Sequence, residues 1–164
     1  MDIFYDNRTN RNVTKVKTLI KKSLDEVLTY EGCNKDIEVS ISFVTDAEIK
    51  ELNKNYRGKN KSTDVLSFPM IDYNKGMFFK DLLDYEITEQ KEEGGGLINL
   101  GDIVVSLDTI ERQAKDFNNT FEKELCLMVI HSMLHLMGYD HMVKNEEKVM
   151  FAKQEEILSK VKVN

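Results

Sequence analysis

All three histidines of the 164-residue chain lie in one short stretch, HSMLHLMGYDH. They are His131, His135 and His141, separated by three and then by five residues. Residues i and i+4 of a helix lie one turn apart on the same face, so His131 and His135 can direct their imidazoles at one point. Gly138 can adopt the left-handed conformation that ends a helix, and the chain can then turn back to supply His141. Three protein ligands with a fourth position left open describe a catalytic zinc site.

The residues around the first two histidines are almost all apolar. Between Leu125 and Met137 the only exceptions are His131, Ser132 and His135. A helix that is apolar on every side is buried, and buried imidazoles need partners because unpaired polar groups are costly there. Core histidines bonded to backbone or water are the alternative, but three histidines at ligand spacing favour a metal. We therefore predict one zinc ion at this site, although nickel, copper or iron can use the same ligands.

The residue after the first histidine argues against a peptidase. The histidine spacing matches the metzincin-like motif HExxHxxGxxH, in which the glutamate takes a proton from the zinc-bound water. Here that position is Ser132, and the chain has no spare histidine to activate its hydroxyl. We interpret Ser132 as a small helix residue. Phosphodiester cleavage needs the glutamate less, because a metal and a cation can neutralise the charge that develops on phosphate.

A suitable cation lies in the segment YRGKNKSTDVLSFP, residues 56–69. Arg57 precedes a short loop, and a guanidinium can bind two phosphate oxygens at once. Together with Lys59 and Lys61 it forms the densest short basic cluster of a chain whose net charge is −6. The acidic balance is mildly unfavourable for binding nucleic acid, so this cluster is the candidate surface. An ordinary solvated arginine is the alternative.

The elements that must position these residues follow from hydrophobic periodicity. The pattern predicts one α/β (α+β) domain over residues 1–164, with about five helices packed around a small mixed sheet of about four strands. The predicted strands are IFY near the start, IEVSISFV (37–44), DVLSFPM and DIVVS (102–106). The predicted helices cover 13–30, 46–55, 107–116, the histidine-bearing segment after Asn119, and 145–161. Two of them have start signals, Thr45 with Glu48 and Asn119 with Glu122.

The segment 70–98 differs from the rest of the chain. It is acidic, ends in three glycines, and is long enough to be either functional or disordered. A short helix around 79–85 is the one element that its pattern suggests. Elsewhere, the absence of an apolar run of about 18 residues argues against a membrane span. No signal peptide is visible, and Cys33 and Cys126 have no ligand-like spacing, so we expect a cytoplasmic protein with two free thiols.

Four blocks of the sequence resemble the YbeY family in content, order and spacing. They are NKNYRGKNKSTDVLSFP, LGDIVVSLDTIERQAKDF, FEKELCLMVIHSMLHLMGYDHM and KVMFAKQEEIL. The resemblance implies a single-domain, metal-dependent endoribonuclease that acts on single-stranded RNA in ribosomal RNA maturation and ribosome quality control. It also implies metal ligands at His131, His135 and His141 and a functional arginine at Arg57. The expected partners are ribosomal RNA, the small ribosomal subunit and its assembly factors.

Two features depart from the family pattern, and two other functions stay open. The family usually has glycine where this chain has Ser132, and the path of the 70–98 segment cannot be transferred from the family. Asp140 either orients a metal-bound histidine or caps the turn after Gly138. The alternative functions are a non-enzymatic ribosome-assembly factor with a structural metal, and a metal-dependent peptidase or other hydrolase that recruits its base from elsewhere.

Overall fold

Four strands form one mixed sheet: β1 (Asp2–Asn7), β2 (Ile37–Phe43), β3 (Val65–Pro69) and β4 (Ile98–Val105). The computed structural model describes residues 1–34, 36–74, 76–84, 97–140 and 144–162. The strand order is β1-β2-β4-β3, with β1 and β4 parallel to β2 and with β3 antiparallel to β4. The predicted α/β (α+β) class with a small mixed sheet is confirmed. Because β3 is an edge strand, one of its sides is open.

Helices surround this sheet. Within the described residues there are six: α1 (Thr14–Tyr30), α2 (Asp46–Arg57), α3 (Phe79–Asp84), α4 (Leu107–Asp116), α5 (Phe121–Leu136) and α6 (Lys144–Lys160). Five of them match the predicted helices, and α3 is the short helix that the acidic segment suggested. Helix α1 connects the parallel strands β1 and β2, which need a crossover. Residues 85–96 of the acidic segment lie outside the described part of the chain.

The main core lies between the sheet and the long helices. Side chains of β2 alternate strictly between buried and half-buried, as expected for a strand with one face on a core. Helix α5 packs against α1, α4, α6 and β3, and most of its side chains are buried, as its all-round apolar pattern predicted. Fully burying one large apolar side chain contributes roughly 1.5–3 kcal/mol. The histidine-bearing helix is therefore held rigidly by its packing.

A second, smaller apolar cluster lies where α2 packs against β3. Ile49 of α2 packs there with Val44, Leu66 and Val104, and Phe68 lies partly buried beside them. The predicted start of α2 at Thr45 is confirmed, because the Thr45 side chain accepts a hydrogen bond from the Glu48 backbone N–H, which is one half of the predicted capping box. The Glu48 carboxylate instead accepts from Arg8. Helix α2 therefore has a fixed start and a fixed packing face, which set the position of Arg57 at its end.

Two local predictions need correction. The cap of α5 is Thr120, whose side chain accepts from the Lys123 N–H, and not Asn119. The Asn119 amide instead donates to the carboxylate of buried Glu124, at 2.8 Å. Strand β4 starts at Ile98, four residues before the predicted DIVVS run, because Gly101 interrupts the apolar pattern without ending the strand.

The structure also bears on the two cysteines and on membrane-spanning helices. Cys33 and Cys126 are both free thiols. Across the described residues, none of the helices combines the length and the apolar character needed to cross a membrane.

Candidate active site

His131 and His135 face each other from adjacent turns of α5. Their Nε2 atoms are 3.0 Å apart, and their ring planes are nearly perpendicular, at 83°. The i, i+4 spacing therefore brings the two imidazoles together as predicted.

The second nitrogen of each ring faces a hydrogen-bond acceptor. Nδ1 of His135 lies 2.8 Å from the backbone carbonyl oxygen of Tyr139, and Nδ1 of His131 lies 2.9 Å from Oε1 of Gln154. An oxygen of this kind only accepts, so both contacts favour the tautomer with the proton on Nδ1. In a neutral ring the lone pair then lies on Nε2. The lone pairs of the two histidines therefore converge.

This arrangement fits a metal ion. Metal-binding histidines donate their other ring N–H to a carbonyl or carboxylate, which fixes the tautomer and the ring orientation. Two nitrogens bound to one tetrahedral zinc, each about 2.0–2.1 Å from it, lie roughly 3.3 Å apart. The observed separation of 3.0 Å is close to that value. The donor chemistry of His131 and His135 therefore suits zinc.

The predicted third ligand, His141, lies outside the described residues, which omit 141–143. Within the described ranges no three His, Cys, Asp or Glu side chains form a metal-binding group. The complete three-histidine site thus remains a prediction.

The turn after α5 places the carbonyl oxygen that faces His135. Gly138 has φ of +95°, which confirms the expected left-handed conformation after the helix. A Cβ at this position would lie 3.0 Å from both the Met77 carbonyl oxygen and the Tyr73 ring. Tyr139 then returns towards the helix and donates its N–H to the Leu134 carbonyl at 3.0 Å.

The side chain of Tyr139 anchors this turn to two other helices. Its hydroxyl donates to Glu31 Oε2 at 2.7 Å, and Lys153 Nζ of α6 donates to Glu31 Oε1 at 2.8 Å. The Glu31 side chain at the end of α1 is only 3% exposed. Burial raises the pKa of Tyr139, and the adjacent Glu31 carboxylate raises it further. The hydroxyl thus stays protonated and keeps donating.

The histidines line a cleft of ≈ 990 Å³ that passes the edge strand β3. Every residue of β3 lines it, and so do Arg57 at the end of α2 and Asp140 beyond the turn. The structure therefore brings Arg57 and the two described histidines to one cleft. Ser132 does not line it. Its side chain is fully buried, and its hydroxyl has no hydrogen-bond partner among the described residues.

Comparison with known proteins identifies the family of this chain. The family profile described as Endoribonuclease YbeY matches residues 4–162. The chain is 46% identical over 159 residues to Endoribonuclease YbeY of Clostridium botulinum strain Langeland, covering 95% of each chain. It is 45% identical over 167 residues to Endoribonuclease YbeY of Clostridium perfringens strain SM101, covering 98% of this chain and 97% of the relative.

The chain belongs to the Endoribonuclease YbeY family. A solved structure is also similar to this chain. The solution structure of TM1509 from Thermotoga maritima is similar to this YbeY-family chain with a TM-score of 0.60 and 34% identity. The match covers 98% of this chain and 89% of that one.

Sequence reasoning missed Gln154, which faces a histidine of this YbeY-family chain from another helix. Its signal is visible in hindsight. The buried residues of α6 are Met150, Gln154, Ile157 and Leu158, so Gln154 is the one polar member of an apolar helical stripe. A polar side chain at such a position needs a buried partner. The pattern does not say which partner.

Proposed function

We propose that this chain is a zinc-dependent endoribonuclease that cleaves single-stranded RNA, with ribosomal RNA as its physiological substrate. The observation that carries the proposal is the shared cleft, in which the Nε2 atoms of His131 and His135 converge and which Arg57 also lines. Family membership supports the ribonuclease class, since the curated relatives are named endoribonucleases.

The metal would be held by His131, His135 and His141. When bound, zinc supplies Lewis-acid chemistry, drawing charge from a phosphoryl oxygen and making water a better nucleophile. Gln154 and the Tyr139 carbonyl keep the first two rings oriented and their Nε2 atoms unprotonated. The buried packing of α5 keeps both rings in place without substrate.

Arg57 would bind the scissile phosphate and stabilise the charge that builds up on it. Its side chain is exposed on the cleft wall, and it forms no ion pair with any described residue. No carboxylate of the described residues therefore neutralises the guanidinium. A planar fork that binds two oxygens suits a phosphodiester better than a peptide carbonyl.

We also propose that residues 1–164 form one domain that works in the cytoplasm on the small ribosomal subunit with its assembly factors. A net charge of −6 does not favour tight binding to bare RNA. A protein held on the ribosome by partners needs less affinity of its own.

A non-enzymatic assembly factor with a structural metal is the second candidate. The observation that favours it is the burial of the histidine-bearing helix, since an ion bound there would also stabilise the core. The two candidates differ in what Arg57 does, because a structural metal has no need of an arginine in the cleft.

The test compares cleavage of a labelled single-stranded RNA by the wild type, His135→Ala and Arg57→Ala, with circular dichroism on each protein. Arg8→Ala is the control, because Arg8 pairs with Asp6 and Glu48 and does not line the cleft. We expect Arg57→Ala to lose roughly 10²–10³-fold in rate, as when one oxyanion donor is removed. His135→Ala should be inactive but folded, and Arg8→Ala should match the wild type.

Equal cleavage by all four proteins would show that the activity does not come from this cleft. An inactive wild type together with an unfolded His135→Ala would favour the assembly factor with a structural metal.

A further inference from the structure

Next to Arg57, the exposed ring of Tyr56 and the half-buried ring of Phe68 form an aromatic surface on the cleft wall. Tyr56 is 68% exposed, although it is one of the largest apolar rings of the chain. Its ring meets Phe68 of β3 edge to face, with the centroids 5.1 Å apart and the planes at 72°. Both residues line the same cleft as the histidines. An aromatic pair with one exposed ring inside a cleft is apolar surface that a ligand can cover.

The pair is held in place by its surroundings. Phe68 packs on the small cluster beneath α2. The loop after Tyr56 is fixed by Asn53, which is buried and donates from Nδ2 to the Lys61 carbonyl at 2.8 Å. The Gly58 N–H closes the helix end on the Lys54 carbonyl at 3.0 Å. A preorganised surface loses little conformational entropy when a flat ligand binds.

Four cations lie close to Tyr56 in the sequence, and Arg57 among them lines the same cleft. Lys54, Arg57, Lys59 and Lys61 are all exposed, and none of them forms an ion pair with a described residue. Elsewhere on this acidic chain, Arg8, Arg11 and Arg112 are all paired with carboxylates. Cations that no described carboxylate pairs, next to an accessible aromatic surface, are the combination that binds single-stranded nucleic acid, through phosphates and base stacking.

We infer that Tyr56 and Phe68 form a stacking site for one nucleobase of single-stranded RNA, with the adjoining phosphates on Arg57, Lys59 and Lys61. The inference rests on the proposed ribonuclease function and adds a reason for single-strand preference. The faces of a paired base are covered by its neighbours in a duplex, so only an unpaired base can stack here. Every base has such a face, and the site therefore accepts any of the four.

The experiment measures binding of two labelled 2′-O-methyl oligomers of about twelve nucleotides, one intact and one fully abasic, and a gel checks that both stay uncleaved. The two carry the same phosphates and differ only in their bases. The wild type should bind the intact oligomer roughly 5- to 100-fold more tightly, as stacking of one base predicts. Tyr56→Ala should lose most of that difference, and Tyr56→Phe should keep it. Phe117→Ala is the control, because Phe117 is 65% exposed but does not line the cleft.

Salt dependence separates stacking from phosphate contact. The slope is that of the logarithm of the binding constant against the logarithm of the salt concentration. Tyr56→Ala should keep the wild-type slope, whereas Arg57→Ala should make it shallower by about one. If Tyr56→Ala discriminates between the oligomers as well as the wild type, or if the wild type does not discriminate, the stacking site is refuted. The ribonuclease function would then still stand on cleavage by the wild type. A wild type that neither binds nor cleaves RNA would refute both.

Discussion

Gln154 Oε1 lies 2.9 Å from Nδ1 of His131, although the two residues are on different helices. This contact fixes the tautomer of a proposed metal ligand from the far side of its ring. Outer hydrogen bonds of this kind typically change metal affinity by about 10- to 100-fold. Helix α6 is therefore part of the site, although no residue of it is a predicted ligand.

Gln154→Ala should weaken zinc binding by about 10- to 100-fold while the protein stays folded. Gln154→Glu should retain most of the affinity, because a carboxylate also accepts from Nδ1. Glu155→Ala, at the adjacent exposed position, is the control. The measurement is competition with a chromogenic chelator. Unchanged affinity in Gln154→Ala would mean that α6 does not orient the histidine.

Gly138→Ala should destabilise the protein more than Gly58→Ala. Both glycines have positive φ, +95° and +67°, so alanine is strained at each by about 1 kcal/mol. At Gly138 the added Cβ would also crowd the Met77 carbonyl oxygen and the Tyr73 ring, both at 3.0 Å. At Gly58 no atom of the described residues lies within 4 Å of it. Urea unfolding of both variants measures the difference. An equal loss of unfolding free energy in the two variants would show that the turn at Gly138 relaxes around the added methyl group.

Ser132→Ala should stabilise the protein by about 1 kcal/mol and leave cleavage unchanged. Within the described part of the chain the fully buried hydroxyl has no hydrogen-bond partner, so removing it also removes the cost of its desolvation. Unfolding in urea and the RNA cleavage rate are the two readouts. A folded Ser132→Ala with strongly reduced cleavage would instead give the hydroxyl a role in the reaction.

Asp46 makes the stability depend on acid pH. Burial alone would raise the pKa of its carboxyl, but hydrogen bonds from Ser106, Thr109 and Arg112 outweigh burial and lower it. A lowered folded-state pKa means that the stabilisation is complete above the unfolded value, about pH 4, and is lost as the pH falls through the folded value.

Asp46→Asn should therefore have a lower free energy of unfolding than the wild type at pH 7. This difference should become smaller below about pH 4. The control is Asp25→Asn, which removes only an exposed ion pair with Lys21 and should change the free energy of unfolding by less than about 0.5 kcal/mol. Urea unfolding across the pH range measures both. A difference that stays constant with pH would exclude the carboxylate as its source.

Local features of the site were predictable from the sequence. The alignment of His131 with His135 and the Thr45 cap of α2 follow from spacings of three and four residues, which helical geometry fixes. The cap of α5 was mispredicted because Asn119 and Thr120 can both serve. The choice depends on Glu124, a buried carboxylate that takes the Asn119 amide as its partner.

Contacts between distant elements were not predictable in this way. Helix α6 was predicted as a helix, but the side of it that meets α5 depends on how the two helices pack, so the pairing of Gln154 with His131 stayed hidden. Likewise, the sequence of the Arg57 loop revealed a basic cluster, but not which residues of other elements lie beside it in the fold. The cleft forms only because β3 is the edge strand between α2 and the histidine-bearing helix.

Removing the metal and returning it tests directly whether RNA cleavage requires the histidine-bound metal. A chelator strips the protein, dialysis removes the chelator, and cleavage and circular dichroism are measured before and after adding zinc. We expect the stripped protein to stay folded and inactive, and one equivalent of zinc to restore cleavage. Undiminished cleavage by the stripped protein would contradict a role of the metal in the reaction. Unfolding on stripping would also contradict it, because the metal would then be structural.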